Sequence, residues 1–369
     1  MKKLGFGLMR LPLLNHEDTT SIDYNILFPM VDCFMDRGFT YFDTAYPYHS
    51  GFSQVALRKA VAERYPRETF VAANKMPTFF VTKPEDYPRI FDEQLEKCGV
   101  TYFDYYLLHN LGVTNYASTL KHGGFEFMKK LREEGKAKRI GFSFHDTADL
   151  LDEILTDHPE MEFVQLQINY VDWESDSIQS RKCYEVARKH NKPVIIMEPV
   201  KGGTLSQVPP QVAALFKAHQ PDLSVPSWAV RYAASLPGVE MVLSGMSDLS
   251  QALDNTSYMQ DFVPLSAEEQ RIVLQASELI KAGTVIPCTS CQYCVDDCPK
   301  KIPIPRYFAM YNQLKQFNNM MLEKLYYTNL SNAGHGKASA CIACRQCEKH
   351  CPQHIDITGH LKEIALTFE

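Results

Sequence analysis

Residues 70–144 of this 369-residue chain hold three short runs: Phe70-Val71-Ala72-Ala73-Asn74-Lys75, Phe103-Asp104-Tyr105-Tyr106-Leu107-Leu108-His109 and Arg139-Ile140-Gly141-Phe142-Ser143-Phe144. Each is short, apolar and rich in aromatic or aliphatic residues, which suits a buried strand better than a helix. The longer stretches between them have helical spacing and close on Gly99 and Gly135, just ahead of the next run, where a helix C-cap glycine belongs. Strands alternating with helices predict βαβ units and a parallel sheet.

Outward from this stretch the pattern repeats. Leu4–Leu8 and Thr40–Thr44 precede it, the latter behind Gly38; Phe163–Asn169, Pro193–Glu198 and Glu240–Ser244 follow. Eight such runs within residues 1–265 predict an α/β fold of the (β/α)8 TIM-barrel type. A doubly wound open sheet is the alternative, and it leads one to expect Gly-x-Gly-x-x-Gly opening a helix after a strand. Gly5-Phe6-Gly7 lies inside the first run and continues as Leu8-Met9-Arg10, so that turn is absent. Ser266-x-x-Glu269 reads as a capping box, followed by apolar residues at helical spacing up to a stop at Gly283. The expected domains are a barrel over residues 1–283 and a smaller unit over 284–369.

The smaller unit is decided by cysteine. Cys288-x-x-Cys291-x-x-Cys294-x-x-x-Cys298-Pro299 is followed by Cys341-x-x-Cys344-x-x-Cys347-x-x-x-Cys351-Pro352. This is the ligand spacing of bacterial-type iron–sulfur sites, found twice, and it predicts two [4Fe–4S] clusters. The tight turn points three thiolates at one cube, and the fourth cysteine of each run serves the other cluster. Cys288, Cys291, Cys294 and Cys351 are thus assigned to one cluster, and Cys341, Cys344, Cys347 and Cys298 to the second. Structural zinc more often takes two ligand pairs across a long gap, and disulfides need an oxidising compartment. The 42 residues between the runs exceed what a minimal ferredoxin needs, and Tyr307–Thr328 reads as helix. A small α-helical ferredoxin-like domain with a helical arm is expected. Beyond the cysteine runs no internal repeat is evident. Cys33, Cys98 and Cys183 read as reduced, buried small hydrophobes.

The composition is 45% hydrophobic and 22% charged, with a net charge of −6 and both signs mixed along the chain. That speaks against a nucleic-acid-binding or anionic-membrane surface. No apolar run approaches the ~20 residues of a membrane span, and Arg10 and Pro12 interrupt any signal-peptide core. A cytoplasmic protein is expected.

Chemistry gathers at the strand ends. Asp43 ends the second run, Lys75 the third, His109 the fourth and Ser143 the fifth, at intervals of 32, 34 and 34 residues. In a barrel these ends share the C-terminal mouth, where catalytic groups sit. Tyr48 follows Asp43 in the loop there. A phenol ionises only near pH ~10, and a nearby ammonium favours its phenolate. Lys75 supplies that charge, Asp43 holds Lys75, and His109 orients a carbonyl oxygen. Tyr48 is then a general acid for a carbonyl that receives hydride.

Asp43-Thr44-Ala45-x-x-Tyr48, Asn74-Lys75, Leu107-Leu108-His109 and Gly141-Phe142-Ser143 together resemble the motifs of the aldo-keto reductase family. With its C-terminal part, the whole chain resembles bacterial members carrying a fused 4Fe–4S ferredoxin-type domain. The resemblance implies a TIM barrel using NADP(H) or NAD(H), with Tyr48 as acid/base and Asp43, Lys75 and His109 in support. It also implies that Ser143 and Gln165 grip the nicotinamide amide and that Met197 stands where an aromatic commonly stacks on the ring. Ser244 to Asn255 resembles the family's phosphate and adenine loop, with Gly245, Met246, Gln251 and Asn255 as cofactor contacts. Gln251 holds the usual arginine position, so the choice between NADPH and NADH stays open. Lys201-Gly202-Gly203 borders the cofactor site in the family. His49 and His145 are loop histidines near the mouth, read either as substrate contacts or as solvated groups; Tyr46, Tyr170 and Trp173 either line the pocket or pack.

Three functions follow. The first is interconversion of a small carbonyl and its alcohol by hydride transfer, with the clusters structural or exchanging electrons with a partner. The second is a ferredoxin-coupled reductase, because hydride moves two electrons and a cluster one; an intervening FMN, which a barrel mouth holds without an obvious signature, would serve it. The third is a nicotinamide-binding redox sensor with little turnover, against which the intact tetrad speaks.

Overall fold

A computed structural model describes residues 1–175, 178–317, 320–332 and 334–369. Its packing divides the chain into two compact units. The first comprises Met1–Glu174, Gln179–Pro199 and Pro226–Ser266; the second comprises Ser175–Ile178, Val200–Val225 and Ala267–Glu369.

In the first unit eight parallel strands close into a barrel in chain order. They are β1 (Leu4–Gly7), β2 (Tyr41–Asp43), β3 (Val71–Pro77), β4 (Phe103–Leu111), β5 (Ala137–Phe144), β6 (Phe163–Gln167), β7 (Val194–Met197) and β8 (Val239–Gly245). All eight expected strands are present. The barrel closes through β1 and β8, Gly7 standing opposite Gly245. The helix Asp86–Cys98 ends on Gly99 in the left-handed region, at φ 66°, a conformation that costs glycine little.

Three strands end two residues from where they were expected. β3 and β4 run two residues further, to Pro77 and Leu111, because their residues are buried almost throughout. β4 then shifts register between Leu108 and Leu111, where Asn110 takes a positive φ of 59°. β6 stops two residues early: the Asn169 carbonyl oxygen of the side chain accepts from the backbone of Val171 and Asp172 and turns the chain out of the ladder.

The barrel interior is packed by Tyr41, Ala73, Tyr105, Leu107, Phe163, Ile195, Met241 and Leu243. At the strand starts, opposite the mouth, Arg139 donates to Glu240 at 2.5 Å and to the Tyr105 hydroxyl at 3.0 Å.

The second unit is helical around its cysteines. Pro210–His219 packs on Ala267–Gly283, and Ile304–Phe317 packs on Met320–Asn332 and on Ile357–Phe368. The expected single helix Tyr307–Thr328 is therefore two helices; residues 318 and 319 within it lie outside the described residues. The internal repeat also extends past the cysteines. Cys288 to Cys341 is 53 positions, as are Cys298 to Cys351, Ile302 to Ile355 and Ile304 to Ile357. Backbone follows sequence: Ser290, Gln292 and Lys301 take positive φ, and so do Ala343, Arg345 and His354, 53 positions on. The sequence alone hid this because little beyond cysteine, isoleucine and the proline after each fourth cysteine persists between the copies. Among the described residues no helix is long and apolar enough to cross a membrane.

Candidate functional site

The mouth of the barrel is assembled by register. Asp43 pairs with Gly7 and Ala73, Lys75 with Leu107, Pro77 with His109, and Ser143 with Gln165. Parallel strands thus deliver the expected residues to one end. Lys75 is 1% exposed; its ammonium donates to the Asp43 carboxylate and, at 2.8 Å, to the Thr44 carbonyl. Burial pulls both partners toward neutrality, raising Asp43 and lowering Lys75, while each charge favours the other. The ammonium lies 4.9 Å from the centre of the Tyr48 ring. Tyr48 opens a short 3-10 turn, Tyr48–Gly51, and its N–H donates to the Ala45 carbonyl at 3.2 Å. The His109 ring meets it edge-on at 6.1 Å. Burial pushes His109 well below the usual histidine range, and the Lys75 and His145 charges push the same way. His109 is therefore a neutral imidazole at ordinary pH. The four residues expected from spacing do meet.

Asn74 belonged to a motif that gave it no role, and the other neighbours gave no sequence signal. Asn74 and Gln94, both fully buried, brace Lys75 from behind. The Lys75 N–H donates to the Asn74 side chain at 2.8 Å, and the Gln94 amide donates to the Lys75 carbonyl at 2.8 Å. Tyr106 donates to Gln94 in turn. A glutamine on a helix, 20 positions from its partner, belongs to no motif. Phe79 and Phe80 are exposed at the end of β3, with the Phe79 ring 5.6 Å from His109. They give the mouth an apolar wall.

Other candidates are structural. His49 accepts from the Leu11 N–H at 3.3 Å and faces the Thr19 carbonyl at 2.7 Å, so it ties down the loop after β1. Tyr46 donates to Glu93, and Tyr170 and Trp173 both pack edge-on against Tyr232.

On the expected cofactor side, Ser143 is buried and its hydroxyl oxygen accepts from the Asn110 N–H at 2.7 Å. Gln165 is buried with its carbonyl oxygen unpartnered, which suits an amide donor arriving from a ligand. Met197 ends β7, half-buried. A Cβ on Gly245 would come within 3.3 Å of Arg10, placing the loop after β1 beside this strand end. Met246 is wholly buried. Gln251 is occupied locally, accepting from Ser247 N–H and donating to Asp248. Asn255 donates to Ser244 at 2.9 Å and accepts from Tyr258, which commits its side chain to packing β8 on the helix Leu249–Gln260. Asn255 thus has interior work that sequence position did not reveal, while Gln251 is engaged at the surface.

In the second unit the cysteines ring two cavities. One, of about 300 Å³, is lined by Cys288, Cys291, Cys294 and Cys351. The other, of about 320 Å³, is lined by Cys298, Cys341, Cys344 and Cys347. Each fourth cysteine has crossed to the other run's cavity. The Ser290 N–H points at the Cys288 sulfur at 3.4 Å, and the repeat-related Ala343 N–H at Cys341 at 3.5 Å. Burial pushes the Cys294 thiol far up and Cys347 to about 11, so a cationic core is what would draw off their protons. Among the described residues no three His, Cys, Asp or Glu converge on a single metal ion. Four soft sulfurs spread around an apolar cavity, with N–H groups aimed at sulfur, fit a cluster better than tetrahedral zinc at ~2.3 Å.

The aldo/keto reductase family matches residues 3–278, and a 4Fe-4S dicluster domain matches residues 287–355. Among solved structures, the holo form of aldo-keto reductase AKR11C1 from Bacillus halodurans is 21% identical, covering 74% of this chain and 91% of its own, with a TM-score of 0.59. An aldo/keto reductase from Klebsiella pneumoniae, in complex with NADP and acetate, is 22% identical over 75% of this chain and 91% of its own, with a TM-score of 0.59. One from Brucella melitensis is 20% identical, covering 74% and 94%, with a TM-score of 0.55. At these identities the likeness is one of fold. Among curated proteins nothing matches.

Proposed function

Because this chain belongs to the aldo/keto reductase family and is an oxidoreductase of that type, we propose that its barrel interconverts a small carbonyl and its alcohol with NADP(H) or NAD(H), and that its second unit holds two [4Fe–4S] clusters. The observation that carries the first part is the buried Asp43–Lys75 pair set beside the Tyr48 ring. A dihydronicotinamide, when bound, supplies the hydride. Gln165, with its unpartnered buried oxygen, and Ser143 hold the carboxamide. Met197 and the backbone of Gly245 line the rest of that side. His109, neutral, donates one N–H to the carbonyl oxygen and fixes its direction. Tyr48 delivers its proton to that oxygen, and Lys75 offsets the negative charge that develops on the phenol as the proton leaves. Asp43 keeps Lys75 in place and charged. Phe79 and Phe80 favour a substrate with an apolar body.

Replacing Tyr48 by Phe tests this reading. Carbonyl reduction should fall by ~10²–10⁴, with nucleotide binding and iron content unchanged. Full activity in that variant rejects the mechanism. The two cysteine-ringed cavities support the two clusters, whose chemistry is one-electron exchange. We place an electron-transfer partner at the second unit. Bound FMN after purification would favour the ferredoxin-coupled reading over the one proposed.

A further inference from the structure

The two cysteine cavities are built by one repeated backbone yet do not have the same surroundings. Around the second, Cys344 is exposed, the neighbouring Ile342 is 57% exposed and the Arg345 side chain is solvated. The first is covered. The turn Lys201–Ser206, inserted into this unit from far upstream, lies directly on its ligand loop. A Cβ on Gly202 would fall 1.8 Å from the Thr289 carbonyl oxygen, one residue from Cys288. No side chain fits there, and Lys201, Gly202 and Gly203 all take positive φ to make the approach. For a lysine this conformation is strained. Lys201 is also 3% exposed, although its charge is costly to bury. A turn that pushes a strained lysine into the protein beside one cluster loop, with no counterpart in the repeat, calls for a reason.

We propose that Lys201 tunes the cluster held by Cys288, Cys291, Cys294 and Cys351, raising its reduction potential and so offsetting the effect of its burial. The proposal rests on the two-cluster reading. Each cluster takes up one electron from a one-electron donor, without a proton, and gains a unit of negative charge. Burial opposes that gain and lowers the potential. A cation held out of water nearby favours it, and its effect is strong where the dielectric is low. Around the other cavity, solvent stabilises the reduced state directly, and Arg345, exposed, contributes little.

The test is an anaerobic potentiometric titration with redox mediators, read by low-temperature electron paramagnetic resonance, on the full chain and on Lys201→Met, Lys201→Gln and Lys201→Arg. The neutral variants should lower one of the two potentials by a factor of ten or more in the reduction equilibrium, ~59 mV for a one-electron couple, and leave the other in place. Lys201→Arg should restore it. Repeating the measurement with Cys344→Ser, which alters the signal of the exposed cluster, should show that the potential that moves belongs to the covered one. Unmoved potentials in protein that still holds about eight irons overturn the role of Lys201 alone, as does a shift of the exposed cluster instead. An iron content well below eight in the unmodified protein, without cluster signals, overturns the two-cluster reading and the proposal with it.

Discussion

His109 is walled in between the Lys75 ammonium and His145, and burial leaves its imidazole neutral far into the acid range. Once unfolded, the same ring takes a proton near pH ~6.5. Below that pH the unfolded chain binds the extra proton and the folded chain does not. The stability associated with this ring is therefore complete above ~6.5 and is lost as the pH falls below it. His109→Gln should flatten the acid side of the stability profile by up to about 1.4 kcal/mol per pH unit. Urea midpoints compared at several pH values would show this; parallel profiles for the two proteins would mean that His109 is not held neutral. The tetrad was legible in the sequence because barrel units have a nearly constant length, so Asp43, Lys75 and His109 announce one another by interval. The inward duty of Asn255 was not, since a polar residue looks the same in a string whether it faces a ligand or bolts a helix to a strand.

The strand–helix units were legible to within two residues, and the errors have causes. β3 and β4 overran because Met76, Pro77 and Leu111 continue ladders that are buried almost throughout, the polar Asn110 being passed through a register shift. What the string concealed was how β3 is braced. Gln94, on the helix Asp86–Cys98, donates to the Lys75 carbonyl and to Asn74 and accepts from Tyr106. Replacing it with leucine keeps the volume but takes a partner from three buried groups, of which Asn74 keeps the Lys75 N–H; a buried group left unsatisfied costs about 1–3 kcal/mol. Gln94→Leu should thus unfold at markedly lower denaturant. The variant that folds should also lose kcat more than KM, because Lys75 loses the strand geometry that aims it at Tyr48. A KM effect with kcat intact would place Gln94 outside the support of Lys75.

Across the whole chain, the crossing of the fourth cysteines makes a distinctive expectation. Cys294 and Cys351 sit in different runs but line the same cavity, and Cys298 lines the other. Cys294→Ser and Cys351→Ser should therefore perturb the same cluster and leave the same residual resonance signal, while Cys298→Ser leaves the complementary one. Signals that sort by run rather than by cavity would reverse the assignment. The spacing of each run was enough to foresee the crossing. The longer repeat escaped notice because its two copies agree mainly in backbone: the same left-handed residues recur 53 positions apart under different side chains.

The second unit is not one continuous stretch of chain, and this governs when it can exist. Residues 200–225 leave the ribosome well before 267–369, yet Pro210–His219, with Val212 and Phe216 buried, packs on Ala267–Gly283. Further downstream, Glu369 accepts from Tyr327 and from Ser339. During vectorial synthesis the early segment must wait for Ala267–Gly283 to be made. A chain halted between residues 225 and 267 would therefore offer chaperones and proteases an unfinished fold.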